Sequence, residues 1–560
     1  MSHPFFERHQ ELLNKALTAI RERTYWSAYP EIPSTKAYGE TAKADGQAAF
    51  EARLNKPFSI DQPGAAGTVG GEVSPYGITL GVTYPRPDLT ALLDGVKAAL
   101  PAWRSAGVDT RVGVCLEILS RINKRSVEMA FAVMHTTGQA FMMAFQAGGP
   151  HAQDRGLEAV AYAYEEMKRV PERVLWEKPG RGEPIRLEKS FRIIPRGIGV
   201  VVGVSTFPTW NSYPAIFADL ATGNAVVVKP HPTVRLPLAI TVEIARAVLE
   251  EAGFDPNLAT LASDTVEEPI AKQLVTHPDV GIVDFTGSSA FGNWIEANAR
   301  QAVVFTEKAG VNAVILDSAD DLKAVARNLA FTLSLYSGQM CTTPQNIYVP
   351  KTGIKVGEAR VSADEFAQAL GTGIEKLLGE PERAVEILGA IQSDATLRRI
   401  ESAPAQGGQV ALPSKSISHP QFPGARVRTP VIIKVGAEDE ALYQQEMFGP
   451  IVYIITTEST QDSIARATRG ARQKGAITCS IYCKDPATLA QAVDQAVEAG
   501  ASVSSNLTGD VFVNQSAAFS DYHVSGANPA GNATLTDASF VAPRFRLAQS
   551  RVPAAAAAKS

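Results

Sequence analysis

The stretch Ile198-Gly-Val-Val-Val-Gly-Val204 opens a pattern of alternating strands and helices. It is a short, continuous apolar run, and a second run, Ala225-Val-Val-Val-Lys229, follows it. Such runs predict parallel strands that are buried on both faces of a sheet. A helical pattern from Thr233 to Glu251 separates them from two more apolar runs, Val280-Gly-Ile-Val-Asp284 and Ala302-Val-Val-Phe305. We therefore expect an open α/β nucleotide-binding domain.

The remaining chain divides around this domain, which is expected at residues 197–308. Residues 1–173 are interpreted as an N-terminal extension followed by a mostly helical part of the same domain. Residues 174–196 partly alternate apolar and polar side chains, which predicts an oligomerisation arm or, alternatively, a solvated hairpin. A second α/β domain is expected at residues 309–515, followed at residues 516–560 by a return segment and a low-complexity, frayed tail.

Composition excludes several classes of protein. The 560 residues are 45% hydrophobic and 20% charged, and the net charge of −5 is spread without long blocks. This gives no electrostatic footprint for nucleic acid or for an anionic membrane. Four cysteines are too few for a disulfide framework, and the N-terminus lacks a signal-peptide core, so we expect a cytoplasmic protein. The eight histidines show no metal-ligand spacing, and no metal is expected.

One cysteine lies in a setting that suits a nucleophile. Cys341 follows a Gly338-Gln339 turn in a loop of small residues, and Glu307 lies 34 residues upstream (341 − 307) at the end of an apolar run. A thiol and a carboxylate are the groups needed to form a thioester and then to hydrolyse it. A lone cysteine is more often a small buried hydrophobe, so the neighbouring motifs carry the interpretation.

Three other segments suit a nucleotide ligand. In Asp284-Phe-Thr-Gly-Ser-Ser289, Gly287 and Ser288 join a strand to a helix whose N-terminus would face a pyrophosphate, or they form an ordinary capped turn. In Lys229-Pro-His-Pro232, the lysine ends a strand where ligands bind, or it faces solvent. In Glu446-Met-Phe-Gly-Pro450, Glu446 and Phe448 share one side of a loop, or they are a surface acid and a core ring.

Together and in this order, these segments resemble the aldehyde dehydrogenase superfamily over roughly residues 90–545. The resemblance implies an aldehyde dehydrogenase-like α/β fold, with 309–515 as the catalytic domain and Cys341 and Glu307 as catalytic residues. It also implies that Lys229, Gly287, Ser288, Glu446 and Phe448 bind the cofactor. The N-terminal segments Tyr25-Trp-Ser-Ala-Tyr-Pro30 and Ser74-Pro-Tyr-Gly77 are similar to the phenylacetic acid degradation protein PaaN family.

The sequence departs from the superfamily at the residue that helps to bind the oxyanion. An asparagine normally precedes a Phe-Pro pair, but Thr206 stands there, and Asn211 follows five residues later. We slightly favour Asn211, and Thr206 remains the alternative because a hydroxyl can also donate. After the general base, Lys-Ala-Gly replaces the usual Leu-Gly-Gly, which leaves the position of Glu307 unchanged.

A second departure concerns the cofactor. Members that prefer NAD commonly have a glutamate three residues after the lysine, and here Pro232 occupies that position. Its absence removes a repulsion toward a 2′-phosphate, and His231 and Arg235 lie near enough in sequence to face one. The sequence therefore predicts NADP as the cofactor, with NAD possible.

The predicted activity is the NAD(P)-dependent oxidation of an aldehyde to a carboxylic acid through a Cys341 thioester. The subfamily resemblance implies a semialdehyde from coenzyme-A-dependent breakdown of aromatic acids, either free or still tethered to coenzyme A. The candidate arm at residues 174–196 predicts a homo-oligomer, expected to be a homodimer or homotetramer. Two alternatives remain. An acylating enzyme would pass the acyl group to coenzyme A, but the presence of Glu307 favours hydrolysis. A catalytically silent relative would bind nucleotide only.

Overall fold

The computed structural model describes residues 3–308, 310–509, 511–512, 516–535 and 537–554. The predicted boundaries at 309 and 515, and all but the first residue of the predicted tail 554–560, lie outside these ranges. The division of the chain into five parts therefore stays a prediction.

The first third of the chain is mostly helical, as the apolar spacing predicts. The first element is a helix at Pro4–Glu22, and its buried face, which includes Leu13 and Ile20, packs on two later helices. The elements are α1 (Pro4–Glu22), α2 (Thr35–Tyr38), α3 (Ala42–Glu51), β1 (Ala65–Val69), β2 (Tyr84–Pro87), α4 (Leu89–Ser105), α5 (Val108–Lys124), α6 (Ser126–Thr137), α7 (Phe141–Gly148), α8 (Pro150–Lys168), β3 (Arg173–Lys178) and β4 (Ile185–Pro195).

The apolar runs form a five-stranded parallel sheet in the order β7-β6-β5-β8-β9. Its strands are fully or largely buried, which explains why the sequence shows continuous rather than alternating hydrophobicity. The elements are β5 (Ile198–Val202), α9 (Pro208–Ala221), β6 (Ala225–Lys229), α10 (Leu236–Glu251), β7 (Ala259–Leu261), α11 (Ala271–Val275), β8 (Val280–Gly287), α12 (Ser289–Asn298) and β9 (Val303–Lys308).

A second sheet has seven strands in the order β14-β17-β18-β11-β10-β19-β20. Its neighbours are parallel except β14 and β17, and separate apolar clusters cover its two faces. The elements are β10 (Ala313–Leu316), α13 (Leu322–Ser334), β11 (Asn346–Pro350), β12 (Ile354–Val356), β13 (Ala359–Val361), α14 (Ala363–Leu377), α15 (Pro381–Leu388), α16 (Asp394–Gln406), β14 (Gln409–Leu412), β15 (Ser416–Ile417), β16 (Val427–Arg428), β17 (Val431–Gly436), α17 (Glu440–Tyr443), β18 (Ile451–Thr457), α18 (Thr460–Lys474), β19 (Thr478–Tyr482), α19 (Pro486–Glu498) and β20 (Ser502–Ser505).

The C-terminal segment returns to the first half of the molecule as α20 (Ala538–Val541) and β21 (Phe545–Pro553). Strand β21 pairs antiparallel with β4, which also pairs with β3, so the predicted arm is a three-stranded sheet. Between these two elements, the buried Arg544 guanidinium donates to Asp219 of α9 at 2.6 Å and to Asp284 of β8 at 2.6 and 2.8 Å. This ion cluster ties the return segment to the parallel sheet.

The topology places the candidate residues between the two sheets. Glu307 lies near the carboxyl end of β9, and the chain then crosses directly to β10 of the second sheet. Cys341 lies on the loop that enters β11, the neighbour of β10. Among the described helices, none is both long and apolar enough to cross a membrane.

Candidate active site

The loop that carries Cys341 has an unusual backbone that is held by hydrogen bonds. Tyr336, Ser337 and Gly338 all have positive φ angles, of 51°, 48° and 62°. Left-handed backbone is unfavourable for residues other than glycine and persists where the surroundings fix it. The Tyr336 hydroxyl donates to the Thr137 carbonyl at 2.5 Å, and the Ser337 hydroxyl contacts the carbonyls of residues 388 and 428. The nucleophile is thus presented from a preorganised turn.

Asn312 fixes the other side of this loop. Its amide nitrogen donates to the carbonyl oxygen of Cys341 at 2.7 Å and to that of Thr343 at 3.0 Å. Its amide oxygen accepts from the backbone N–H groups of Ile477 and Thr478, where β19 begins. One buried side chain therefore connects the nucleophile loop to the central strands of the second sheet.

Glu307 is 1% exposed, and the side chains of Asn211, His523 and Cys341 contact its carboxylate. Asn211, in the first turn of α9, donates its amide N–H to Glu307 Oε2 at 2.8 Å. His523 Nε2 lies 2.9 Å from Glu307 Oε1 and 3.7 Å from the sulfur of Cys341. The donor atoms of Glu307, Cys341 and His523 all lie within 4.8 Å of one another. The structure therefore brings Cys341 and Asn211 to the same carboxylate, that of Glu307.

Thr206, the alternative oxyanion donor, does not share the contact that Asn211 makes with Glu307. It precedes α9, and its carbonyl oxygen accepts from the side chain of Gln139 at 2.8 Å. Of the two oxyanion candidates, Asn211 is the one whose side chain contacts the Glu307 carboxylate. The helix begins at Pro208, so Asn211 lies in its first turn, five residues (211 − 206) after the position expected from an ungapped alignment.

The site is electrostatically unfavourable for an isolated thiolate. Burial, and after it the negative charge of Glu307, hold the pKa of the Cys341 thiol well above its usual range. Glu446 adds a smaller contribution in the same direction. Burial in turn raises the pKa of Glu446 to about 7, an effect that nearby Arg399 opposes. Attack by Cys341 therefore requires a nearby group that removes its proton or stabilises its charge.

The loop with Glu446 and Phe448 packs directly beside the nucleophile loop. Gln345, four residues after Cys341, donates to the carbonyl of Gln445 and accepts from the N–H of Met447. A Cβ on Gly338 would approach the Gly449 carbonyl oxygen at 2.7 Å, so the tight contact requires glycine. The prediction that these two motifs form one site agrees with this packing.

Gly287 and Ser288 lie at the carboxyl end of β8. In the register with β9, Thr286 is beside Glu307 and Gly287 is beside Lys308. The hydroxyl of Ser288 caps α12 by accepting from the N–H of Phe291. The strand-to-helix junction therefore lies next to Glu307, and the N-terminus of α12 begins directly after it.

Lys229 ends β6, where it is 3% exposed. Its ammonium lies 2.7 Å from Oδ1 of Asp264, which follows β7 and is 2% exposed. Burial lowers the pKa of Lys229, and the negative charge of Asp264 opposes this shift. A carboxylate thus stands beside the lysine although Pro232 replaces the expected glutamate.

His231 and Arg235, the two residues expected to face a 2′-phosphate, are in surroundings that do not favour this role. His231 is uncharged at pH 7, and Arg235 donates to a backbone carbonyl. Burial, together with the charges of Lys229 and Arg235, lowers the pKa of His231 to about 4, so its ring is neutral at pH 7. Arg235 is 1% exposed and donates from Nε and Nη2 to the carbonyl of Asp264. The carboxylate of Glu72 accepts from the backbone N–H groups at the start of α10.

Sequence analysis missed His523, Asp264 and Asn312. His523 lies 182 residues from Cys341 (523 − 341) and 216 from Glu307 (523 − 307), so no short spacing reveals it. The side chains of Glu307, Cys341 and His523 together have the donor types of a zinc site, which a search for short spacings could not detect. The only sequence signal for Asn312 is its place directly before the apolar run Ala313–Leu316.

Both N-terminal segments that carry the subfamily resemblance pack against the site. Trp26 contacts the ring of Phe519 edge-to-face at 4.8 Å, on the loop that carries His523. The Tyr76 hydroxyl donates to the carbonyl of Gln139, whose side chain holds Thr206. The extension thus supports the walls of the site.

Comparisons with known proteins identify the family. The family model described as "Aldehyde dehydrogenase family" matches residues 84–537. The structure of an NAD-dependent aldehyde dehydrogenase from Burkholderia multivorans is 53% identical, covers 100% of both chains and has a TM-score of 0.98. Lactaldehyde dehydrogenase of Escherichia coli (strain K12) is 24% identical over 71% of this chain and 78% of its own length.

A more distant structure, 1-pyrroline-5-carboxylate dehydrogenase from Thermus with bound NAD, shares the fold. It is 17% identical, covers 95% of this chain and 99% of its own, and has a TM-score of 0.73. Together with the family model, these matches confirm the aldehyde dehydrogenase-like fold predicted from the sequence. The chain belongs to the aldehyde dehydrogenase family and is an oxidoreductase that acts on aldehydes.

Proposed function

We propose that the protein oxidises an aldehyde to a carboxylic acid with NAD, through a thioester on Cys341. The observation that carries this proposal is the cluster in which Glu307 contacts Asn211 at 2.8 Å and lies within 4.8 Å of the Cys341 sulfur. A nucleophile, a general base and an oxyanion donor thus meet between the two sheets.

In the first half of the reaction, the sulfur of Cys341 attacks the aldehyde carbon. The electron pair of the C=O bond moves to oxygen, where the amide N–H of Asn211 and the backbone N–H of Cys341 stabilise the negative charge. The bound cofactor supplies the acceptor for the hydride that leaves the same carbon, which restores the carbonyl as a thioester. Gly287, Ser288, Lys229, Glu446 and Phe448 are the residues that would hold this cofactor.

In the second half, Glu307 takes a proton from water, and the hydroxide cleaves the thioester. A cavity with room for about one water molecule is lined by Asn211, Thr306 and Glu307, among others. This cavity and the buried base support hydrolysis over transfer of the acyl group to coenzyme A. The carboxylic acid leaves, and the thiolate of Cys341 is restored.

The charges around Lys229 support NAD rather than the NADP expected from the sequence. Asp264 neutralises Lys229 at 2.7 Å, and its carboxylate would accept from ribose hydroxyls but repel a 2′-phosphate. His231 is neutral at pH 7, and Glu72 brings a further carboxyl group to the start of α10. The relative from Burkholderia multivorans, which is 53% identical, is named as NAD-dependent.

We propose as substrate a semialdehyde formed during coenzyme-A-dependent breakdown of aromatic acids, free or still tethered to coenzyme A. The support is the N-terminal resemblance together with the packing of Trp26 and Tyr76 against the walls of the site. An extension that supports the site, rather than covering a remote surface, is in a position to shape its substrate entrance.

The arm formed by β3, β4 and β21 supports a homodimer or homotetramer as a further proposal. This small sheet exposes several large apolar side chains, which are Val174, Leu175, Ile185, Ile194, Leu547 and Val552. Apolar side chains on a three-stranded sheet with free edges favour pairing with a second copy. Light scattering on the wild type and on Leu175→Glu tests this: the variant should have the smaller mass.

The activity is tested with a panel of aldehydes, with and without a coenzyme A tether, each offered NAD and NADP. We expect NADH formation and a free acid as product, and no NADH from Cys341→Ser. Near-normal NADH formation by Cys341→Ser would refute the assignment of the nucleophile. A coenzyme A thioester formed when free coenzyme A is added would show the acylating reaction instead.

A further inference from the structure

The loop 516–535 is fixed to the strand that carries Glu307. The backbone N–H of Asn532 donates to the carbonyl of Thr306 at 3.1 Å, and the N–H of Thr306 donates to the side-chain oxygen of Asn532 at 2.8 Å. Gly531 forms a backbone bridge with Glu307, and a Cβ on this glycine would approach the Thr306 carbonyl oxygen at 2.6 Å. The loop therefore follows the end of β9, and glycine permits the close approach.

His523 lies on the same loop, and its side chain is held in one place. It is 2% exposed, and its ring packs edge-to-face against Trp210 with centroids 4.6 Å apart. The next residue, Val524, has a φ angle of 61°, which is strongly disfavoured for a β-branched side chain and persists only where the surroundings fix it. Earlier in the loop, the N–H of Phe519 donates to the buried carboxylate of Glu158 at 3.0 Å. The imidazole is thus placed by packing and by backbone conformation.

The imidazole donates a hydrogen bond to the Glu307 carboxylate. Its Nε2 atom lies 2.9 Å from Glu307 Oε1, and because an ionised carboxylate only accepts, Nε2 carries the hydrogen. The Cys341 sulfur lies farther away, at 3.7 Å, so Glu307 is the principal acceptor. Asn211 donates to the other oxygen, Oε2, at 2.8 Å. In the thioester, where the sulfur has no hydrogen, each carboxylate oxygen keeps a lone pair that can accept from water.

We propose that His523 is a positioning residue for hydrolysis, which together with Asn211 holds the Glu307 carboxylate in the orientation that takes a proton from water. This inference rests on the proposed function and deepens it. A carboxylate with a donor at each oxygen cannot rotate without breaking a hydrogen bond, whereas a carboxylate held at Oε2 alone can turn about that contact. A displacement of about 1 Å in a reacting group costs about 10² in rate.

The histidine keeps its hydrogen throughout the step that it supports. One O–H bond of water breaks and its proton goes to Glu307, while the water oxygen forms a bond to the thioester carbon. The C–S bond then breaks and its electron pair returns to sulfur, so the products are the carboxylic acid, the Cys341 thiolate and protonated Glu307. Transfer of that proton to the sulfur closes the cycle, and no step requires His523 to gain or lose a proton.

Three substitutions separate hydrogen bonding from packing. His523→Gln keeps an N–H donor near the place of Nε2, and His523→Met has a similar length but no donor. His523→Asn is shorter, so its amide lies near the place of Nδ1, which has no partner among the described residues, and it does not reach Glu307. Of the three variants, only His523→Gln therefore keeps the donor to the carboxylate.

The test is the reaction of the full chain with aldehyde and NAD, followed by stopped-flow fluorescence of NADH and by acid-quench mass spectrometry. We expect His523→Met to keep the burst of NADH within about tenfold of the wild-type rate, and then to turn over about 100-fold more slowly than wild type. The acyl group should accumulate as a thioester on Cys341. His523→Gln should restore turnover to within about tenfold of wild type. His523→Asn should behave as His523→Met does, so it takes the place of that variant if His523→Met does not fold.

Equal steady-state rates in wild type and His523→Met would overturn the inference, and so would a loss in His523→Gln as large as that in His523→Met. A burst that slows as much as the steady state would also overturn it, because disturbed packing affects both half-reactions whereas a displaced base affects hydrolysis. Failure of the proposed function has a different result: the wild type itself forms no NADH and no acid, and the inference then fails with it.

Discussion

Replacing Asn211 with alanine should slow the oxidation of the aldehyde by about 10²–10³-fold in kcat. This amide has two tasks in the proposed mechanism, because its N–H contacts Glu307 at 2.8 Å and it is the proposed side-chain donor to the oxyanion. Loss of one such donor raises the barrier by about 3–4 kcal/mol. At about 1.4 kcal/mol for each factor of ten, that is the expected loss in rate.

The assay is stopped-flow fluorescence of NADH, which separates a first turnover from the steady state. The burst reports formation of the thioester, and the steady rate reports hydrolysis when hydrolysis is slower. We expect Asn211→Ala to slow the burst, and also to slow hydrolysis because Glu307 loses the hydrogen bond from Asn211. Binding of NAD should be unchanged, which a fluorescence titration checks.

Thr206→Val is the matched control. Valine has nearly the same size as threonine but lacks the hydroxyl, and the backbone carbonyl that accepts from Gln139 is unchanged. Its burst should remain within about tenfold of wild type, since its hydroxyl contributes less than the amide to the barrier. The reasoning is refuted if Asn211→Ala keeps a normal burst while Thr206→Val loses it.

Three further results are expected. Asp264→Asn should raise the kcat/KM ratio of NADP to NAD by tenfold or more, because a carboxylate that repels the 2′-phosphate is gone; an unchanged ratio in steady-state kinetics would contradict the choice of NAD. Arg544→Ala should lower the free energy of unfolding by about 3–5 kcal/mol, since two buried aspartates lose their partner, whereas exposed Arg546→Ala should leave the urea midpoint nearly unchanged. Zn²⁺ should inhibit wild type reversibly and His523→Gln more weakly, because the variant lacks one of three ligands; equal inhibition constants would argue against zinc binding at these residues.

The parallel sheet was predictable because its strands are buried on both faces. Continuous apolar runs identify such strands without reference to their neighbours, and the run Ala225–Lys229 matches β6 at both ends. The pairing of β21 with β4 could not be predicted, because it joins segments more than 300 residues apart (545 − 195 = 350). Nothing local in either strand specifies that partner.

The residues of the site also differ in whether a local sequence signal reveals them. Cys341 and Glu307 have local signals, namely a turn of small residues and the end of an apolar run, and the structure brings them together. His523 has none, because its role depends on a loop that folds back across the site from 182 residues away (523 − 341). Asp264 illustrates a different limit: the sequence shows that a glutamate is missing at Pro232, but not that the segment after β7 supplies a carboxylate to Lys229.

The most direct test of the account is the reaction of Glu307→Gln with aldehyde and NAD, followed by intact-mass and peptide mass spectrometry. We predict one equivalent of NADH per active site, then near-complete arrest, with the acyl group recovered as a thioester on Cys341. Continued turnover at the wild-type rate, or an acyl group on any other residue, would contradict it.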